Sequence, residues 1–141
     1  MAQLKARKTP VATTGCIIIN KKGEILLLKR DHHPFIGFWV LPGGHVNYGE
    51  NVEEALKREV AEETNLKVNK IKLFGVYSDP KRDPRYHTIG SIYLCRNYSG
   101  KLNGSRESSE ERFFSLNRIP KNIGFDHKKI INDFKKWPKK S

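Results

Sequence analysis

Two runs near the start of the chain, Val11 to Ile19 and Ile25 to Lys29, are apolar and rich in β-branched residues, and the cluster between them, Asn20-Lys21-Lys22-Gly23, is made of turn formers. This pattern predicts two strands joined as a hairpin. Phe38 to Leu41 gives a shorter aromatic strand signal that stops at Pro42-Gly43-Gly44. Proline removes a ladder donor there and glycine opens unusual backbone angles, so a tight loop is expected to follow. From Asn51 to Thr64 there is neither proline nor glycine, and Val52, Ala55, Leu56 and Val60 recur at helical spacing, which predicts one helix. Ile71 to Ser78 and Thr88 to Arg96 are again strand-like and flank a proline-rich, charged stretch, Asp79 to His87, expected to be a long exposed loop. Arg112 to Leu116 is a weaker strand candidate. Ile130, Ile131, Phe134 and Trp137 recur among lysines, so the chain should close with an amphipathic helix packed on the body. Strands outnumber helices, and there is no internal repeat.

At 141 residues the chain suits a single domain, 1–141, with a basic N-terminal arm over residues 1–10 and a basic tail over 138–141. Every apolar run stops short of the ~20 residues that cross a bilayer, so no membrane role is expected. The basic opening lacks an apolar stretch behind it, unlike a secretory signal, and a cytoplasmic location is expected. Cys16 and Cys95 each sit in an apolar run, as small buried hydrophobes in a reducing compartment would. With no CxxC, any metal chemistry must rely on oxygen ligands. The net charge of +12 attracts polyanions in general. Its basic residues are thickest at the two ends, which resembles solvated termini rather than a shaped groove, so specific nucleic-acid binding is not expected.

Against this background residues 50–63 carry six glutamates and only Lys57 and Arg58. On a helix of 3.6 residues per turn, Glu53 and Glu54 point outward, each four residues before a basic partner, as ordinary surface pairs. Glu59, Glu62 and Glu63 stand at i, i+3 and i+4 on a face that overlaps the apolar stripe. Carboxylates so placed repel one another and resist desolvation unless a cation sits among them. Magnesium fits a glutamate cluster without histidine, because it favours carboxylate oxygen and keeps several waters; manganese is a plausible substitute.

Gly44, five residues, Glu50, seven residues, then Arg58-Glu59-Val60-Ala61-Glu62-Glu63-Thr64-Asn65-Leu66 resembles the Nudix box, agreeing at eight of its nine constrained positions. The departure is Asn65, where the box has glycine. The resemblance implies an α+β fold with a mixed β-sheet sandwiched between helices, the box forming a loop, a helix and a second loop. It also implies a magnesium-dependent hydrolase that cleaves a phosphoanhydride bond in a nucleoside diphosphate linked to another group. Glu59, Glu62 and Glu63 would hold the metal, helped by a backbone carbonyl of Gly43 or Gly44, with Glu50 supporting the site. Arg58 would orient Glu59, or else pair at the surface with Glu54. The proton would go to a box glutamate, Glu59 or Glu62, in competition with Glu107, Glu110 and Glu111 of a later segment; Glu110 is also a candidate for a further ligand, the alternative being a solvated loop.

The segment Ser78 to His87 resembles a loop of small ADP-ribose pyrophosphatases in that family, with Arg82 and Arg85 able to present guanidinium groups to a diphosphate or an adenine. The plain alternative is a charged hairpin loop. ADP-ribose cut to AMP and ribose 5-phosphate is therefore the expected reaction on a small-molecule nucleotide substrate. A nucleoside triphosphate pyrophosphatase is the alternative within catalysis, and an RNA-binding or RNA-end-processing protein the alternative from charge. Trp39, Phe35 and Phe38 could stack on a base, but aromatic residues at a strand start are more often core and they are left unassigned; His127 is expected to have an ordinary structural or surface role. A homodimer stays open.

Overall fold

The apolar runs divide, residue by residue, between two cores. In the computed structural model, which describes residues 8–103 and 108–137, β1 (Val11–Ile18) and β2 (Ile25–Arg30) are buried on both faces. Ile17, Ile19, Ile25 and Leu27 enter one core together with Ile92 and Leu94, while Cys16, Ile18, Leu26 and Leu28 enter the other with Tyr93 and Cys95. Successive strand side chains point to opposite faces, so an uninterrupted apolar run requires cover on both sides. Helix α1 (Val52–Thr64) supplies one cover through Leu56 and Val60. Helix α2 (His127–Lys135) supplies the other through Ile130, Ile131 and Phe134. The result is the expected α/β/α layering, with Trp39 in the core.

Among the described residues the strands form two sheets. With β3 (Trp39–Val40), β4 (Gly43–His45), β5 (Lys67–Tyr77), β6 (Thr88–Ser99) and β7 (Ser108–Phe114), the orders are β4-β1-β6-β5 and β3-β2-β7. The first sheet is mixed, since β1 runs parallel to β6 and antiparallel to β4. Here the structure corrects the expected hairpin. β1 and β2 lie in different sheets, and their backbones pair only through the isolated bridge Ile19↔Ile25 among the described residues, because each buries both faces and takes long-range partners on its sides. The Asn20–Glu24 turn does form, with the Asn20 side chain accepting from the Lys22 and Glu24 amides.

A second correction concerns the glycines after Pro42. Gly43 and Gly44 are not loop but strand, paired with Gly15 and Thr14. Gly43 has φ 153, and a β-carbon there would collide with the Thr14 carbonyl. Close approach of two backbones is what the glycine provides. The weak strand signal at Arg112 to Leu116 is β7, displaced toward the N-terminus and followed by a 3-10 turn at Leu116–Arg118. Both cysteines are buried and free. Among the described residues no helix is long and apolar enough to cross a membrane. Most of the basic N-terminal arm (residues 1–7), the basic tail 138–141 and Glu107 lie outside the described residues.

Candidate functional site

Helix α1 begins with a capping box in which the Asn51 side chain accepts from the Glu54 amide at 2.8 Å and the Glu54 carboxylate accepts from the Asn51 amide at 2.9 Å. Glu54 is thus spent on the cap. The surface pair Glu54–Arg58 is not made, and Arg58 turns toward the loop instead. Its Nε donates to Glu50 at 2.7 Å, Nη1 to Glu59 at 2.8 Å and to Glu62 at 3.2 Å, and Nη2 to the carbonyl of His45 at 3.0 Å. One planar fork therefore ties three box carboxylates to β4. Glu50 is held below the usual carboxylate range, first by the Arg58 hydrogen bond and then by the Asn47 amide. Glu53 likewise leaves its expected surface pair with Lys57 to accept from the Tyr93 hydroxyl at 2.7 Å. Burial, reinforced by that bond, pushes Tyr93 up to about 12.

The helix ends at Asn65 with φ 65, in the left-handed region, its amide donating to Ala61. Its side-chain amide donates to the Lys101 carbonyl at 3.1 Å. Asparagine therefore takes the role that glycine has in the box.

Two box glutamates meet the paired glycines of β4. The Gly43 amide donates to Glu63 at 2.8 Å. A β-carbon on Gly44 would fall inside the Glu59 carboxylate, so the bare backbone makes the cradle in which that carboxylate lies. Both glycines and both glutamates line a cleft of about 330 Å³, together with Thr14, Arg82, Arg85 and His127. This donor set consists of oxygens beside exposed backbone and fits a hard divalent cation. Among the described residues no three acidic, histidine or cysteine side chains converge to enclose an ion by themselves. Magnesium does not require that, since one or two carboxylates, waters and substrate phosphates commonly complete its shell. Glu62 is 59% exposed and lies outside the cleft lining, as do Glu50 and Arg58.

The loop from Ser78 to His87 forms the basic wall, but its two arginines differ. Arg82 is 6% exposed, and its Nε and Nη2 each donate to Asp126 at 2.8 Å while Nη1 donates to Thr88 at 2.8 Å. It clamps the loop to the start of α2 rather than reaching outward. Asp126 occupies the N-cap position of α2 without making a side-chain cap bond, its carboxylate being given to Arg82. Arg85 is 38% exposed, pairs with Asp83 and lies 5.1 Å from the Tyr86 ring and 5.7 Å from the Phe125 ring. Burial pushes the Asp83 carboxyl up, yet the Arg85 hydrogen bonds outweigh that and leave it below the ordinary value.

Glu110 does not join the site. It pairs with Lys29 across the ladder, on the face shared with Leu27 and Ile25 and hence away from α1, and it is bonded to Arg112. Sequence reasoning missed Phe125, which has φ 54, lines the cleft with Arg30 and Arg85, and packs its ring against Phe35. No local signal marks it.

Residues 9–134 match the NUDIX domain family. The chain is 49% identical over 128 residues to an ADP-ribose pyrophosphatase of Methanocaldococcus jannaschii, covering 90% of this chain and 73% of that protein. It is 36% identical to a putative 8-oxo-dGTP diphosphatase of Bacillus subtilis, over 84% of this chain and 76% of the relative. Among solved structures, a MutT NUDIX hydrolase from Burkholderia pseudomallei superimposes with a TM-score of 0.82 at 28% identity, covering 89% of this chain and 98% of that one.

Proposed function

The chain belongs to the NUDIX domain family, and from that premise we propose that it hydrolyses ADP-ribose to AMP and ribose 5-phosphate with magnesium. Hydrolases of this family act on small nucleotides and need a divalent metal. The observation that carries the reading is one cleft lined both by carboxylates, Glu59 and Glu63 against Gly43 and Gly44, and by the guanidinium of Arg85. A diphosphate in such a cleft would be met by a divalent cation held on the carboxylates and by the guanidinium. The activity of the 49% identical relative supports ADP-ribose as the diphosphate compound.

In this reading Glu59, Glu62 and Glu63, with a carbonyl of Gly43 or Gly44, hold the metal, and manganese can replace magnesium. The cation supplies charge neutralisation at phosphorus, activation of water and in-line alignment. Arg58 orients Glu59 and Glu62, and Glu50 anchors Arg58. A box carboxylate, Glu59 or Glu62, takes the proton of the attacking water. Arg85 contacts the substrate, whereas Arg82 shapes the wall through Asp126. The cytoplasm suits such a substrate.

The Bacillus subtilis relative favours a second reading, a nucleoside triphosphate pyrophosphatase that uses the same box. Products separate the two. Incubation with magnesium and a panel of ADP-ribose, sugar nucleotides, dinucleotides and 8-oxo-dGTP should give AMP and ribose 5-phosphate from ADP-ribose with the highest kcat/KM. Pyrophosphate from the triphosphate, with ADP-ribose left intact, would replace the proposal by the second reading.

A further inference from the structure

His127 belongs to none of the motifs above, yet it lines the cleft, and its Nδ1 lies 2.9 Å from the backbone nitrogen of Leu41. An amide N–H can only donate, so Nδ1 is the acceptor and the neutral ring carries its proton on Nε2. The position of Leu41 in the chain gives this bond its weight. Leu41 leads into Pro42-Gly43, and proline has no amide proton, so the turn has two backbone donors, Leu41 and Gly43. The first goes to His127 and the second to Glu63. The Pro42 carbonyl accepts from Cys16 at 2.9 Å. The backbone that meets the box glutamates is thus pinned on one side by β1 and on the other by the first residue of α2.

The start of α2 is itself fixed. Asp126 is clamped to Arg82, the Gly124 amide donates to the Trp39 carbonyl at 2.9 Å, and the Phe125 ring lies 5.5 Å from the His127 ring. The charged groups that act on His127 are Asp126, Arg82, Arg30 and Asp83. Burial outweighs them and lowers the imidazole to about 4, so the ring stays in the neutral form that an acceptor requires.

We propose that His127 is a positioning residue of the hydrolytic site: as a neutral acceptor it fixes the Leu41 amide and, across Pro42, sets the Gly43-Gly44 backbone against Glu63 and Glu59. The proposal rests on the reading of the box glutamates as metal ligands but not on the identity of the nucleotide. It deepens that reading by adding a residue from outside the box, 64 positions beyond Glu63.

The test uses the full chain and three readouts. Long-range proton–nitrogen NMR at pH 7 should show His127 protonated on Nε2 alone; protonation on Nδ1 would overturn the proposal outright. His127→Asn and His127→Leu are then compared, because the asparagine Oδ1 stands the same number of bonds from Cα as Nδ1 and can accept from Leu41. Manganese binding without nucleotide, followed by the EPR signal of the free ion, should weaken by about tenfold in the leucine variant and by less than about threefold in the asparagine variant. Turnover of ADP-ribose, or of whichever nucleotide proves to be the substrate, should show the same order in kcat, with KM moving less. An asparagine variant as defective as leucine, or a leucine variant that binds manganese and turns over like the wild type, would refute the positioning role. If the leucine variant fails to fold, the tautomer and the asparagine variant still decide. Manganese binding that depends on His127 in a protein that leaves ADP-ribose intact would sustain this inference and reject only the substrate.

Discussion

Arg82→Ala is expected to unfold the chain far more readily than its place in a charged loop suggests. The side chain is 6% exposed and Asp126 17% exposed, so both charges are largely withdrawn from water and depend on each other. The alanine removes two charge-assisted hydrogen bonds to Asp126 and one to Thr88. It leaves a half-buried carboxylate without its partner, at a helix start that makes no side-chain cap bond of its own. Breaking one side of a buried pair costs about 3–5 kcal/mol, against about 0–1 kcal/mol for an exposed pair. A total stability of about 5–15 kcal/mol makes that a large fraction, and a chain of this size should lose roughly 10 °C in Tm. Urea unfolding followed by circular dichroism, with Arg82→Ala, Asp126→Ala and the double variant, measures both the loss and the coupling. The double variant should cost well under the sum of the singles. A loss below about 1 kcal/mol for Arg82→Ala, or strict additivity, would show that the clamp is not formed in solution.

The same structure sets three other outcomes. Arg85→Ala should raise KM for ADP-ribose more than it lowers kcat, and because it leaves the 5% exposed Asp83 carboxylate without its side-chain partner it should also cost about 1–3 kcal/mol of stability; unchanged kinetics would remove it from the substrate wall. Asn65→Gly should be neutral within about 0.5 kcal/mol, since the gain at φ 65 offsets the lost bond to Lys101, and Asn65→Val should destabilise by about 1–2 kcal/mol, as judged by urea midpoints. His127 has a folded value of about 4 against 6.5 ordinarily, so the unfolded chain takes up the proton first as pH falls. Stability relative to His127→Asn should therefore be full above pH 6.5 and decline toward pH 4, by on the order of 2–3 kcal/mol. A difference between the two proteins that does not change with pH would contradict the buried neutral imidazole.

How far the sequence reads through to the molecule depends on whether the determining partner is near in the chain. The box helix, its apolar stripe and the left-handed Asn65 come from spacing and local backbone preference, and all are found, whereas Glu62, expected beside Glu59 and Glu63, lies outside the cleft lining. The division of β1 and β2 between two sheets does not, because their true neighbours, β6 for β1 and β7 for β2, lie far along the chain. Apolarity on both faces of Ile25 to Leu28 is the sign that argues against a simple hairpin. Arg58 is ambiguous in sequence for a related reason: helix periodicity offers Glu54, but the Asn51 cap claims Glu54, and the loop brings Glu50 within reach. Arg82 and Arg85 look alike in sequence, and Asp126, 44 residues away, makes one a buried clamp while the other stays partly exposed. The role of Gly44 becomes legible only where β4 meets Glu59.

We propose that Glu59 and Glu63, beside Gly43 and Gly44, together with Glu62 on the same helix, carry the hydrolysis. The most direct test is the magnesium-dependent turnover of ADP-ribose by Glu62→Gln and Glu63→Gln, each of which keeps the side-chain shape and removes one charge. Both variants should keep a wild-type circular dichroism spectrum and a melting temperature within a few degrees, with kcat lowered by roughly 10²-fold or more. Full turnover in both variants would contradict the assignment of the site.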